Sequence, residues 1–372
     1  MKTSFVSIYF LAFLFFIISF VAFSFVSAQN STSSYCHFVG TINGNLPIVM
    51  DLVQEGKNYI GNYYYTKYNL PIRLEGQSNK KGDIELFVYD DNGNKIEFII
   101  GKMNQNTFVG NWYNKDKTKK LPISLVEDYS KSISFKMTSL KDSTKLFKNK
   151  KESPQAVFSE MFVEVNRVPQ GSNLAKIKEL VQKKQELTTS KTIEQVIENN
   201  KNDYFKEYLE DNADFDQEYS HMANWERQYG VNVLFNDNYF ATLAFSVYQY
   251  SGGAHGGYSE NFLVIDIKNG KEIKLNDIFD KNALVTLQKR ILKKAYAYTN
   301  SENVTSLQDA GYLVNKIEVT YNFSLNARGI TFVYQQYEIS PYAMGMPSFS
   351  FSWEEIKDII KADSPVNMLI KN

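Results

Sequence analysis

Between Tyr35 and about Asp128, apolar and polar residues alternate in short runs separated by Asn43-Gly44, Glu55-Gly56, Lys81-Gly82 and Asn92-Gly93. Asn-Gly pairs suit two-residue hairpin turns, because both central positions need positive φ. No helical periodicity of useful length breaks the series. Residues 35–128 therefore predict an all-β antiparallel meander of about eight strands.

A repeat lies inside this region. Tyr59-Ile60-Gly61-Asn62-Tyr63-Tyr64 recurs as Phe108-Val109-Gly110-Asn111-Trp112-Tyr113, and Leu70-Pro71-Ile72-Arg73-Leu74 recurs as Leu121-Pro122-Ile123-Ser124-Leu125. A partial third copy is Leu46-Pro47-Ile48. Two blocks in one order predict two related halves. Glycine for close backbone approach and aromatics for the core give the repeat a structural meaning; a binding stripe at Tyr63–Tyr65 is the functional alternative.

Residues 129–155 carry seven lysines and predict a Lys-rich linker between two domains, with Lys145 to Pro154 its most solvated part. Within them, Ile133 to Met137 alternates like a strand. Past residue 155 the pattern changes. Val157–Val168 predicts a strand, and Leu174, Ile177, Leu180 and Val181 sit at helical spacing, as do Ile193, Val196 and Ile197. Tyr239–Tyr250 predicts a strand with Ala241, Leu243, Phe245 and Val247 on its apolar face. Phe262–Ile267 predicts another, turning at Asn269-Gly270 into Glu272–Leu275. A helix follows Asp280, with Leu284, Leu287, Ile291 and Ala295 on one side. Ile317 to Leu325 alternates as a half-buried strand, paired with Ile330–Gln335. Ser352 and Glu355 form a capping box opening a last helix, with Ile356, Ile359 and Ile360 on its buried side. Residues 156–370 thus predict an α+β domain with an antiparallel sheet and packed helices.

The 372 residues hold 41 basic and 41 acidic side chains and are 43% hydrophobic. Enough apolar surface is present for a core, which argues against disorder. A neutral chain lacks the basic excess of nucleic-acid binders, so no nucleic-acid partner is expected. Lys2 precedes an uncharged run, Thr3 to Ala28, that closes with Val26-Ser27-Ala28 before Gln29. A positive start, an apolar middle and a small-residue exit predict a signal peptide over residues 1–28. The protein is then exported, periplasmic or extracellular, and free of the membrane after cleavage. The alternative is an uncleaved anchor, since the run is long enough to span a bilayer. One cysteine, Cys36, excludes an internal disulfide, so the core alone must hold the fold.

The most unusual segment is Tyr248-Gln249-Tyr250-Ser251-Gly252-Gly253-Ala254-His255-Gly256-Gly257-Tyr258. Its glycines free the backbone and expose amide donors to anything docking there. The flanking aromatics can stack on a sugar ring or pack on a protein. Tyr250, Gly252, Gly253, His255 and Gly256 are therefore candidate ligand contacts. The bland alternative is a glycine-rich connection whose histidine bonds a neighbouring loop. A catalytic His255 needs a nucleophile or metal, and neither is evident: Ser251 is outside a Gly-x-Ser-x-Gly elbow, and the glycines fit no phosphate-loop or dinucleotide pattern. His37, His221 and His255 show no metal-ligand spacing. The acidic run Glu207, Glu210, Asp211, Asp214, Asp216 and Glu218 lacks calcium-loop spacing and reads as solvated surface. No metal, cofactor or catalytic residue is assigned.

Three blocks carry a resemblance: Tyr250-Ser251-Gly252-Gly253-Ala254-His255-Gly256, then Asp266-Ile267-Lys268-Asn269-Gly270-Lys271 with Leu275-Asn276-Asp277-Ile278-Phe279, then Tyr337-Glu338-Ile339-Ser340-Pro341-Tyr342-Ala343-Met344-Gly345. In order and spacing, residues 156–365 resemble the RsiV/PdaC-type extracytoplasmic domain of unknown function. The resemblance implies an α+β fold, export and work near the cell wall, and adds Tyr337 and Tyr342 to the candidate contacts. Such domains occur in a lysozyme-sensing anti-sigma factor and in the non-catalytic part of a peptidoglycan deacetylase. Neither sigma-factor binding nor deacetylation is implied for this chain, and no lysozyme-contact motif is matched.

The first functional expectation is a non-catalytic binding module for cell-wall glycan (peptidoglycan) or a wall-directed protein such as lysozyme. The alternative is an enzyme modifying wall polymers with His255 as general base, which requires a carboxylate or serine within about 3 Å of the ring. A third is an envelope-maintenance protein without a discrete ligand.

Overall fold

The structure, a computed structural model, describes residues 33–187, 190–215, 223–298 and 305–370. The expected signal peptide or anchor, His221, Asp216 and Glu218 lie outside them.

Eight strands follow the first turn signals: β1 (Ser33–Ile42), β2 (Leu46–Glu55), β3 (Asn58–Tyr65), β4 (Ile72–Ser78), β5 (Ile84–Tyr89), β6 (Lys95–Asn104), β7 (Thr107–Asn114) and β8 (Lys120–Glu127). Each pairs antiparallel with the next, and β8 returns to β1 with Val126 opposite Val39, so the meander closes into a barrel. The repeat occupies β3–β4 and β7–β8, four strands apart around the barrel. Inward positions fill the interior, with Phe38, Met50, Tyr63, Leu74, Leu86, Ile99 and Phe108 among the fully buried. The repeated glycines are sites of close strand approach. A Cβ on Gly61 would lie 1.9 Å from the Asp51 carbonyl oxygen, and one on Gly110 would lie 2.3 Å from that of Ile100.

A six-stranded sheet follows, ordered β14 (Lys271–Glu272), β13 (Gly257–Asp266), β12 (Phe240–Tyr250), β11 (Trp225–Asp237), β10 (Gln155–Arg167) and β9 (Ser134–Lys145). Of residues 129–155, expected as a linker, Ser134–Lys145 form β9, whose register with β10 runs from Lys145–Gln155 to Ser134–Arg167, and residues 146–154 make the turn between the two strands. Leu146 N donates to Pro154 O at 2.9 Å across the turn. Lys136 and Lys141 hold exposed positions of β9 while Phe135 and Met137 are buried, so the lysines mark a strand's wet face. All neighbours are antiparallel except β10 and β11. That parallel pair needs a crossover, which carries α1 (Leu174–Lys184) and α2 (Ile193–Asp211).

β12 is buried on both faces from Phe240 to Ser246, because its odd residues join one core and Phe240 joins another. The second core lies under α4 (Lys281–Tyr298) and a three-stranded sheet, β15 (Phe323–Leu325), β16 (Gly329–Val333) and β17 (Ser348–Ser352). The alternating stretch from Ile317 is strand only at Phe323–Leu325. Before that, side chains take the backbone carbonyls: Gln288 Nε2 donates to Ile317 O at 2.8 Å and Tyr334 Oη to Glu318 O at 2.6 Å. Alternation registered one face on the core without a ladder. Glu272–Leu275 likewise shortens to β14, and Leu275 opens α3 (Leu275–Ile278). The Ser352–Glu355 capping box forms and starts α5 (Trp353–Ile356).

Barrel and sheet share a buried seam. Asp51 Oδ1 accepts from Tyr35 Oη at 2.5 Å and lies 2.8 Å from His37 Nδ1; Asn236 Nδ2 donates to Tyr35 Oη at 2.8 Å. His37, Asp51 and Asn236 are each at most 2% exposed. Burial works against charge on His37, and the Asp51 carboxylate outweighs it, so the imidazole pKa is raised. The pair is sealed from ligands and serves as a joint. Cys36 is a free thiol in the barrel wall, pushed up by burial and by Glu127.

Candidate functional site

The β12–β13 hairpin delivers the glycine-rich segment to one edge of the molecule. Its last pairs are Tyr248 with Tyr258 and Gln249 with Gly257. Between them, Gly252 and Gly253 take φ of 97° and 90°, which few other residues accept. Tyr250 Oη donates to Gly253 O at 3.1 Å and ties the loop back on itself. Gly256 is required for packing instead, since a Cβ there would meet the Tyr248 ring at 2.6 Å.

The loop holds His255 against two tyrosines from a distant segment. The imidazole stacks on Tyr342 with ring centroids 3.8 Å apart and planes 18° apart. Tyr337 completes the group, 6.3 Å from His255 and 6.2 Å from Tyr342 between centroids. Tyr342 begins a single helical turn after Pro341. Tyr337 has φ of 62° and is 54% exposed, so an aromatic ring stands in solvent on a backbone conformation that disfavours it.

Ring bonding limits what His255 does. Nδ1 lies 3.1 Å from Gly256 O, and a carbonyl only accepts, so Nδ1 carries the proton. Nε2 lies 3.1 Å from Tyr337 Oη, within hydrogen-bond reach of the phenol. Among the described residues neither nitrogen bonds a carboxylate or a serine. Nor do three His, Cys, Asp or Glu side chains gather as metal ligands among them. The arrangement is an exposed aromatic face in which the polar atoms of His255 and Tyr337 are engaged.

Of the residues singled out in the sequence, His255, Tyr337 and Tyr342 come together, Gly252, Gly253 and Gly256 shape the loop, and Tyr250 braces it. Sequence reasoning missed Tyr248, whose ring packs on Gly256 and whose phenol is pushed up by burial and then by Glu226, Tyr342 and Tyr250 nearby. Its signal was its place two residues before Tyr250, on the same side of β12.

Comparison with known proteins places this face at a junction. Residues 167–258 match the family model described as deacetylase PdaC, and residues 276–354 match that described as a protein of unknown function, DUF3298. The C-terminal region is a PdaC/RsiV-type domain of unknown function. His255 falls near the end of the first match, and Tyr337 and Tyr342 fall inside the second, so the two matched segments build the face together. A DUF3298-family member from Bacteroides fragilis has a similar structure, with 21% identity and a TM-score of 0.56, covering 66% of this chain and 100% of that one. A DUF3298-family protein from Pseudomonas aeruginosa aligns at 15% identity and a TM-score of 0.45, covering 63% and 98%. The first likeness shows the fold. No curated protein sequence matches the chain.

Proposed function

We propose that the protein is an exported cell-envelope binding module whose aromatic face at His255, Tyr337 and Tyr342 holds a cell-wall glycan. One observation carries the reading: a histidine stacked at 3.8 Å on a tyrosine, beside a half-exposed tyrosine, on the outside of the fold. Aromatic side chains offer large, rigid contact area at low entropic cost and suit partners with one apolar and one polar aspect. Saccharide rings are such partners. Against the enzymatic alternative stands the bonding of both ring nitrogens to a carbonyl and a phenol, which leaves no general-base pair. Export rests on the run from Thr3 to Ala28 and on the likeness to extracytoplasmic domains.

The test is co-sedimentation with purified peptidoglycan, beside a pull-down with lysozyme. The protein is expected to sediment with peptidoglycan, and His255→Ala with Tyr342→Ala to reduce retention about tenfold, which is about 1.4 kcal/mol. Unchanged retention in the double variant would remove the face from the function. Capture by lysozyme alone would replace the glycan with a protein partner.

A further inference from the structure

A second surface has the features of a ligand site. A cleft of about 640 Å³ opens where the barrel meets the six-stranded sheet, lined by Glu127, Asp128, Tyr129, Arg167, Gln170 and Tyr239 among others. Its volume lies within the roughly 300–1,000 Å³ of small-molecule sites.

The Arg167 guanidinium sits over the Tyr129 ring, 5.3 Å from its centroid, and makes no ion pair among the described residues. A guanidinium held over a ring and outside any ion pair keeps N–H donors that can take a carboxylate in bidentate fashion. The Tyr129 platform is fixed from behind, because His37 N donates to its hydroxyl at 3.3 Å and the His37 ring lies 6.1 Å away. Opposite, the β11–β12 turn places Asn238 and Tyr239 at φ of 53° and 65°. Glycine is the preferred residue at such positions, yet a tyrosine stands there and lines the cleft. Asp128 stays ionised: burial raises its pKa, but the bond from Ser130 N at 2.8 Å and other contacts hold it below the usual range.

We propose that this cleft binds a saccharide bearing a carboxylate. Arg167 takes the carboxylate, the face of the Tyr239 ring away from Lys268, whose Nζ lies 4.4 Å from the ring centroid, takes the apolar side of the sugar, and Asp128 and Gln170 take hydroxyls. The cleft is separate from the His255 face and does not rest on its reading.

Calorimetric titration of the purified protein with N-acetylglucosaminyl-N-acetylmuramic acid, and with the neutral N,N′-diacetylchitobiose, tests this. The acidic disaccharide is expected to bind about tenfold more tightly than the neutral one, and Arg167→Gln to erase that difference. Tyr239→Asn tolerates the positive φ, and it is expected to weaken both sugars about fivefold. His255→Ala is expected to leave both affinities unchanged. Equal affinity for the two sugars, no binding of either, or full discrimination in Arg167→Gln overturns the proposal.

Discussion

Tyr63 and Trp112 donate to the same oxygen of Glu97, the phenol at 2.6 Å and the indole at 2.9 Å. They hold the fifth position of the two repeat copies, on β3 and β7, so the internal relationship of the barrel converges on one carboxylate of β6. The acceptor, more than the charge, is what the two donors require. Glu97→Leu is therefore expected to strand both and to cost about 3 kcal/mol. Glu97→Gln keeps an acceptor and is expected to cost about 1 kcal/mol or less. Urea midpoints at constant slope separate the two. Equal losses would show that the charge itself is required.

The second prediction concerns pH. Burial pushes the Glu260 carboxyl up to about 7, although Tyr258 Oη at 3.3 Å and the Arg73 guanidinium both favour its charged form. The folded pKa is above the unfolded value of about 4.3. Its contribution is then complete below that value and is lost as pH rises through about 7. Unfolding free energy is expected to fall across this window by up to about 3 kcal/mol. Glu260→Gln is expected to flatten the slope. Glu55 and Glu160, also raised by burial, contribute in the same window, and His37 adds a loss that begins only above its unfolded value of about 6.5, so the variant removes the Glu260 share alone. An unchanged slope below pH 6 in Glu260→Gln would assign the effect elsewhere.

Much of this architecture is written locally in the sequence. Asn43-Gly44 and Asn92-Gly93 announced their hairpins because a turn is chosen by its own residues. Closure of the barrel was not legible, since it depends on β8 finding β1 across the whole domain. The seam was hidden for the same reason, as Asn236 and Tyr35 lie 201 residues apart. Ile317 to Leu325 misled in a different way: periodicity reports which side faces the core, and it is silent on where the carbonyls bond. The lysines of 129–155 misled because a strand's wet face and a linker share a composition. At the candidate site, glycines and a flanking histidine marked the loop, while its packing on Tyr342 required the fold.

The third prediction tests close strand approach. Gly61→Ala is expected to cost about 3 kcal/mol, because its Cβ meets backbone that cannot rotate away. The strain falls on Asp51, whose side chain anchors Tyr35 and His37, so the seam is expected to loosen with the barrel. Gly257→Ala is the control, with nothing within 4 Å of the added carbon, and is expected to change stability by about 0.5 kcal/mol or less. Thermal melting of both variants checks the contrast. Similar melting temperatures would show that the barrel yields at Gly61.

The last prediction separates packing from recognition at the candidate site. His255 is exposed, and its ring is held by one bond on each nitrogen and by the stack on Tyr342. Truncation to alanine strands no buried group, so His255→Ala is expected to cost about 1 kcal/mol, roughly 1–2 °C in melting temperature for a chain of 372 residues. Tyr248 has the opposite balance. Its ring fills the space that Gly256 leaves open, and Tyr248→Ala empties it. Losing the packing of this half-buried ring is expected to cost about 2 kcal/mol. The order of the two melting temperatures, with His255→Ala above Tyr248→Ala, is the measurement. If His255→Ala melts lower, the imidazole is a structural prop for the loop, and the exposed face reduces to Tyr337 and Tyr342.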